Sequence, residues 1–117
     1  MTTIKERLTF EQRQAESKKI LEKYPDRIPV IVEVSDRNKN PEIYLEKSKF
    51  LVPSDLTMGQ LAHVIRKRIK LSPEKALFFF VKNTLPPHTQ LLGTLYEEYK
   101  ESCGFLFIEI AEESTFG

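Results

Sequence analysis

The side chains of this 117-residue sequence readiest to act as a nucleophile or move a proton near neutral pH are one thiol and two imidazoles: Cys103, His63 and His88. A thiolate formed beside an imidazole is the smallest unit for acyl transfer. Their context does not support that pairing. His63 falls inside a helical pattern, His88 in a loop after Pro86 and Pro87, and Cys103 directly before a glycine. A small buried thiol is the ordinary reading of such a cysteine. No glycine-rich phosphate loop and no paired metal-ligand motif is present in the sequence. We therefore expect no catalytic residue, no metal site and no enzyme. A fourth group is of another kind: the sequence ends "EESTFG", with the carboxylate on Gly117. Glycine is about 7% of an average protein, so the residue type alone decides little. Without a Cβ, however, its carboxyl can enter a narrow channel and be approached closely by a thiolate.

Composition narrows the class of molecule. The chain is 40% hydrophobic and 30% charged, the balance of a folded domain, and its length suits one domain. The formal net charge of +1 hides a dipolar arrangement. Arg66, Lys67, Arg68, Lys70, Lys75 and Lys82 face only Glu74 between Val64 and Lys82, whereas six glutamates and a single lysine occupy Tyr96 to Gly117. "RKRIK" could suggest nucleic acid. Ile65 and Ile69 interleave it at core spacing, and no aromatic RNA-binding pattern accompanies it. The basic face is expected to read acidic protein residues, not nucleic acid. One cysteine permits no internal disulfide and fits a reducing compartment. "MTTIKERLTF" lacks the apolar stretch of a signal peptide, and the longest wholly apolar run, Ala76 to Val81, is too short to span a bilayer.

The elements that must position these residues can be read from caps and periodicity. Thr3 with Glu6 and Thr9 with Gln12 have capping-box spacing, so helices are predicted near 4–8 and 10–23, the second ended by Pro25. Phe10, Ala15, Ile20, Leu21 and Tyr24 are too sparse for a central helix, and light docking is expected. "RIPVIVEV" and "SKFLVP" are strand candidates separated by a polar loop. Thr57 with Gln60 opens a third helix, in which Met58, Leu61, Ala62, Ile65 and Ile69 recur on one face. "ALFFFVK" reads as a strand, "LLGTLYEEYK" as a short helix and "GFLFIEI" as the last strand. This order predicts an α+β fold, a ubiquitin-like β-grasp with a four-stranded mixed sheet on a helix and two extra N-terminal helices.

Two strands are too apolar for a sheet with one wet face. In "LFFFV", Phe78 and Phe80 point one way and Leu77, Phe79 and Val81 the other, so either both faces are covered or one is a binding patch. In "KFLVP", Phe50 and Val52 oppose Lys49 and Leu51. Lysines at 47 and 49 and Pro53 are residues typical of an open edge, which can accept a peptide as an added strand. Pro29 marks "RIPVIVEV" as an edge as well, or lies near its start.

The strings "YPDRIPVIVE", "FLVPSDLTMGQ", "IRKRIKL", "ALFFFVKN" and "GFLFIEI" closely resemble the autophagy-related protein eight family of ubiquitin-like modifiers (GABARAP-like). The resemblance runs from about Phe10 to Gly117, and the loop from Asp36 to Glu46 departs from it in length and composition. It implies that residues 1–24 are a helical extension, 25–112 the ubiquitin-like core and 113–117 a flexible conjugation tail. It implies that a motif of an aromatic residue, two spacers and an aliphatic residue adds beside Lys49 to Val52, which favours that edge over Pro29's strand. The implied aromatic pocket is Glu16, Ile20, Pro29, Ile31, Lys49, Leu51 and Phe105. The implied aliphatic pocket is Phe50, Val52, Pro53, Leu56, Leu61, Val64 and Arg68. Arg27, Lys47 and Arg68 would meet acidic flanks. Leu77, Phe78, Phe79 and Phe80 resemble a second docking surface of the family. Gly117 would be the site of conjugation to phosphatidylethanolamine, the only group attached, with no separate cofactor. The implied partners are cargo receptors and adaptors, activating and conjugating enzymes, a deconjugating cysteine protease and, through the lipid, a membrane. The implied location is the cytoplasm, and the autophagosome membrane once lipidated. The rival reading is a ubiquitin-like peptide-binding adaptor that is never conjugated.

Overall fold

In the computed structural model, residues 3–112 are described. The conjugation tail 113–117 expected from the sequence, with Gly117, lies outside them. The elements run α1 (Ile4–Arg7), α2 (Phe10–Lys23), β1 (Arg27–Val34), β2 (Lys49–Pro53), α3 (Met58–Ile69), β3 (Phe78–Phe80), α4 (Leu92–Tyr99) and β4 (Leu106–Ala111). They form one mixed sheet in the order β2-β1-β4-β3, with β1 and β4 parallel and the outer pairs antiparallel.

Local chemistry sets the helix starts. Thr9 and Gln12 complete a reciprocal capping box on α2, and Thr57 and Gln60 complete another on α3. The Thr3 cap is one-sided. Its hydroxyl accepts from the Glu6 N–H and donates to the Glu6 carboxylate, which therefore does not reach back to the Thr3 N–H. At its other end α3 closes on Lys70, whose φ of +54° lies in the left-handed region usually given to glycine. A side chain there costs roughly 1 kcal/mol.

Both faces of the sheet are covered, which explains the continuous apolar strands. Ile28, Val30 and Val32 of β1 and Leu106, Ile108 and Ile110 of β4 face a large cluster that includes Met58, Leu61, Ala62, Ile65, Ile69, Leu92 and Leu95. The five residues of α3 expected to be buried from their spacing are the five buried in the helix. On the opposite face Ile31, Cys103 and Phe105 cluster with Ile4, flanked by Leu8, Ile20 and Phe107.

The N-terminal helices dock on this second face largely through polar contacts. Ser17, 2% exposed, is the only buried residue of α2, and its hydroxyl donates to the Cys103 carbonyl. Gly104 makes this approach possible. Its φ is +95°, and a Cβ there would collide with the Ser17 hydroxyl. The Ile4 N–H donates to the Glu33 carboxylate at 2.7 Å, and Lys5 pairs with Glu101 at 2.8 Å beside the Phe107 ring. Pro29 is accommodated in β1 by a substitute donor. The register of β1 with β4 turns it toward the Gly104 carbonyl, to which it can offer no N–H, and the Tyr96 hydroxyl donates there instead at 2.6 Å.

The third strand is shorter than its sequence suggests. "ALFFFVK" reads as a strand of seven residues, but only Phe78–Phe80 pairs, because β4 ends at Ala111 opposite Phe78. After Val81 the chain reverses at once: Lys82 and Asn83 have φ of +48° and +66°, and Val81 and Thr84 exchange backbone hydrogen bonds. The last strand likewise begins at Leu106, past the Gly104 turn, and not at Gly104.

Candidate functional site

The site is the outer edge of β2. Val32 N–H donates to Ser48 C=O and Ser54 N–H to Asp26 C=O, which fixes the parity of the ladder. Phe50 and Val52 therefore turn their backbone groups toward β1, and Lys49 and Leu51 turn theirs outward. Side chains alternate in the other sense. Phe50 and Val52 join the cluster under α3, whereas Lys49 and Leu51 lie on the α2 side.

On the α2 side lies a depression of about 440 Å³ lined by Glu16, Ile20, Arg27, Lys47, Lys49, Phe50, Leu51 and Phe105. Five of the seven residues expected for an aromatic pocket are there: Glu16, Ile20, Lys49, Leu51 and Phe105. Pro29 and Ile31 do not line it. Both are buried, Ile31 in the small cluster with Phe105, so they support the depression from within. Leu51 is 36% exposed and available to a ligand. Lys49 reaches across the mouth to Glu16 at 2.6 Å, an exposed pair worth roughly 0–1 kcal/mol.

On the α3 side, Phe50, Val52 and Leu61 are buried in the main core, Leu56 and Pro53 are half-buried, and Val64 is 42% exposed. Val64 and Arg68 are exposed positions of α3. Phe50 reaches both sites, bordering the α2-side depression while packing in the core. The Lys47 ammonium and the Arg68 guanidinium lie 5.3 and 5.4 Å from the centre of its ring. Arg27 is placed over the Tyr24 ring. Among the described residues, none of Arg27, Lys47 and Arg68 has a carboxylate within 4 Å, so their charges are unspent.

The other candidates lie apart from this edge. Cys103 is buried under α1 and α2, across the sheet from α3, which carries His63, while His88 packs edge-on against Phe79. The sheet separates the thiol from both imidazoles. Of the possible second docking surface, Phe79 and Phe80 are buried and Leu77 and Phe78 half-buried. Two titrations are displaced. Burial, with the charges of Glu97 and Cys103, raises the Tyr96 phenol, and the Ser72 hydroxyl lowers the Glu74 carboxyl.

Sequence reasoning missed two features that shape the edge. Ser17 holds the α2 wall of the depression in place, and a serine within a polar helix gives no sign of burial. Beyond Lys47 a second groove opens between the loop 42–46 and the end of α3. Its signal was the departing loop together with "RKRIK".

Comparison with known proteins places this geometry. The family model described as "Autophagy protein Atg8 ubiquitin like" matches residues 12–117. Autophagy-related protein 8A of Oryza sativa subsp. indica is 58% identical over 116 residues, covering 99% of this chain and 96% of that protein. The crystal structure of Trypanosoma brucei ATG8 superposes with a TM-score of 0.88 at 40% identity, covering 100% of this chain and 99% of that one. Plasmodium falciparum Atg8 in complex with a Plasmodium falciparum Atg3 peptide superposes with a TM-score of 0.86 at 36% identity, covering 97% and 98%.

Proposed function

This chain belongs to the Atg8 family of ubiquitin-like autophagy proteins, and from that premise we propose that it is a modifier joined through Gly117 to phosphatidylethanolamine that gathers partners by capturing short peptides on β2. The observation that carries the peptide reading is the open edge of β2, with outward backbone groups at Lys49 and Leu51 and apolar surface on both sides.

An added strand explains the spacing of the motif. Successive side chains alternate, so two anchors three positions apart point to opposite faces and stand about 10 Å apart along the strand. The aromatic anchor enters the depression beside Leu51 and Ile20, and the aliphatic anchor lies on the α3 side near Val52 and Val64. Arg27, Lys47 and Arg68 meet acidic flanks with charges that no carboxylate among the described residues neutralises. A micromolar dissociation constant, about −8 kcal/mol, suits such a short ligand, and many copies on one membrane would multiply it.

The conjugation reading rests on family membership. Gly117 is the substrate carboxyl: ATP converts it to an acyl-adenylate with loss of pyrophosphate, an enzyme thiol displaces AMP to form a thioester that is passed to the conjugating enzyme's thiol, and the lipid amine then displaces that thiol to form an amide. The Atg3 peptide bound to the Plasmodium relative supports a conjugating enzyme as a partner. No helix among the described residues is long and apolar enough to cross a membrane. Two acyl chains would supply stable anchorage at the autophagosome membrane, and the unconjugated protein would be cytoplasmic. Cargo receptors, adaptors and a deconjugating cysteine protease complete the set of partners.

The test is conjugation in vitro with ATP, matched activating and conjugating enzymes and phosphatidylethanolamine liposomes. We expect a product heavier by one lipid, lost on deletion of Gly117. No product with enzymes proven active would leave an unconjugated adaptor as the reading. The peptide site is tested separately by calorimetry: Leu51→Ala is expected to weaken an aromatic-x-x-aliphatic peptide about tenfold, and unchanged affinity would remove the pocket assignment.

A further inference from the structure

The strand β1 outruns its neighbour β2. The Val32 N–H donates to the Ser48 carbonyl at 2.8 Å, and among the described residues no backbone hydrogen bond joins the two strands beyond that point. Segment 44–48 diverges from β1 there, and a cleft of about 290 Å³ opens between them, with Arg7 of α1 at its border. By the parity of the ladder, Val34 turns its N–H and C=O toward this cleft, and no backbone group among the described residues answers them. The sheet thus has a second free edge, on a different strand from the β2 edge.

The chemistry around it selects one kind of side chain. Glu33, Asp36 and Glu46 line the cleft against the single guanidinium of Arg7, a surplus of two negative charges. Among the described residues, none of the three carboxylates has an ammonium or guanidinium within 4 Å. Tyr44 lines the same cleft with its ring 52% exposed. A planar cation that bonds carboxylates in pairs and stacks on an aromatic ring is a guanidinium.

We propose that the free end of β1 captures a short, extended, arginine-bearing segment of a partner protein as an added strand between Val34 and segment 44–48. The inference depends neither on peptide capture at β2 nor on conjugation. Strand alternation gives it a pattern. Val32 belongs to the large cluster and Val34 packs against it, as does Leu45 across the cleft. Glu33 points the other way, where one carboxylate oxygen accepts the Ile4 N–H and the other is left for a ligand. A residue paired with Val34 therefore brings an apolar side chain, and its two neighbours bring the arginines.

The test titrates isotope-labelled, unconjugated protein with Ac-Ala-Arg-Val-Arg-Ala-amide and follows the amide chemical shifts. Saturable shifts are expected at Glu33, Val34 and Glu46, with Lys49 and Leu51 unmoved. Lysine in place of both arginines is expected to weaken binding about threefold. Proline in place of the central valine keeps the charge but removes the N–H, and a loss of about tenfold is expected. Asp36→Asn/Glu46→Gln is expected to bind about tenfold more weakly at low salt. Both residues are exposed and outside every ion pair among the described residues, so the fold is retained. Arg7→Ala, which removes the competing cation, is expected to bind about threefold more tightly.

Equal affinity for the proline peptide would mean that charge alone holds the ligand, and would overturn strand addition. Undiminished binding to Asp36→Asn/Glu46→Gln, or shifts at Lys49 and Leu51 instead, would overturn the cleft assignment. Movement of the Glu33, Val34 and Glu46 amides on concentrating the protein alone would give the cleft to a second copy of this chain and overturn the partner reading. An absence of saturable shifts would overturn the inference as a whole.

Discussion

Among the described residues, one face of the sheet is covered by a cluster of twenty-one buried side chains with α3 and α4, and the other by a cluster of four with α1 and α2. The first cover is held by apolar area. The second is held by a small cluster and a few polar contacts: Ser17 on the Cys103 carbonyl, Ile4 on Glu33, and Lys5 on Glu101. The edge of β2 proposed to take peptides lies where the two covers meet. Its α3 side is floored by rigid core, and its α2 side is walled by a helix with a single buried residue. If the two proposed anchor sites are used as we propose, the aromatic one is expected to be the more adjustable.

Three substitutions would break or sharpen this contrast. Ile65 is fully buried in the large cluster, and Ile65→Ala is expected to cost about 3 kcal/mol of global stability in urea unfolding. A loss below about 1 kcal/mol would mean that the large cluster is not the stabilising half. Gly104→Ala acts on the other cover. It forces a side chain into a backbone with φ of +95° and against Ser17, so we expect about 2 kcal/mol of destabilisation. Its distinguishing sign is faster hydrogen exchange throughout α2 with little change in α3. Equal acceleration of both helices would show that the covers unfold as one.

Tyr96 joins the two halves, since it is packed in the large cluster and donates to the carbonyl of Gly104 beneath α2. Tyr96→Phe should cost about 1 kcal/mol near neutral pH. Burial raises the phenol in the folded state, so the neutral form is favoured by folding. That contribution is fully present below the unfolded value of about 10 and is lost as pH rises through the higher folded value. Urea midpoints should therefore fall more steeply above about pH 10 in the unsubstituted protein than in Tyr96→Phe. Parallel curves would show that the hydroxyl does not govern this titration.

The large cover was legible in the sequence and the small one was not. Met58, Leu61, Ala62, Ile65 and Ile69 repeat at helical spacing, and a buried face follows from that spacing alone. In α2 the apolar residues guide only in part: Ile20 packs beside the small cluster, but Phe10 and Ala15 are exposed and the buried residue is Ser17. A serine becomes a docking residue only when a glycine eighty-seven positions away lets the backbone approach. The two sides of the site followed the same division. Phe50, Val52, Lys49 and Leu51 could be sorted by alternation, and Lys47, Lys49 and Pro53 marked β2 as an open edge, but Pro29 marked β1 as well, and the strand order β2-β1-β4-β3 is what separates the two.

The sequence by itself determined the order of elements, the helix caps, the inward face of α3 and a surface split into basic and acidic regions. Each depends on residues a few positions apart, where bond geometry fixes which side chains share a face. Tertiary structure decided that Pro29 belongs to an interior strand, that β3 stops after three residues and that Lys67 and Lys70 border a groove with Tyr44. Each of these depends on a partner distant in the chain: Tyr96 supplies the donor for the carbonyl that Pro29 cannot serve, Ala111 ends the ladder for Phe78, and the loop 42–46 closes over the end of α3. Such partners meet only when burial of the apolar strands closes the chain between them, and short-range periodicity carries no record of that closure.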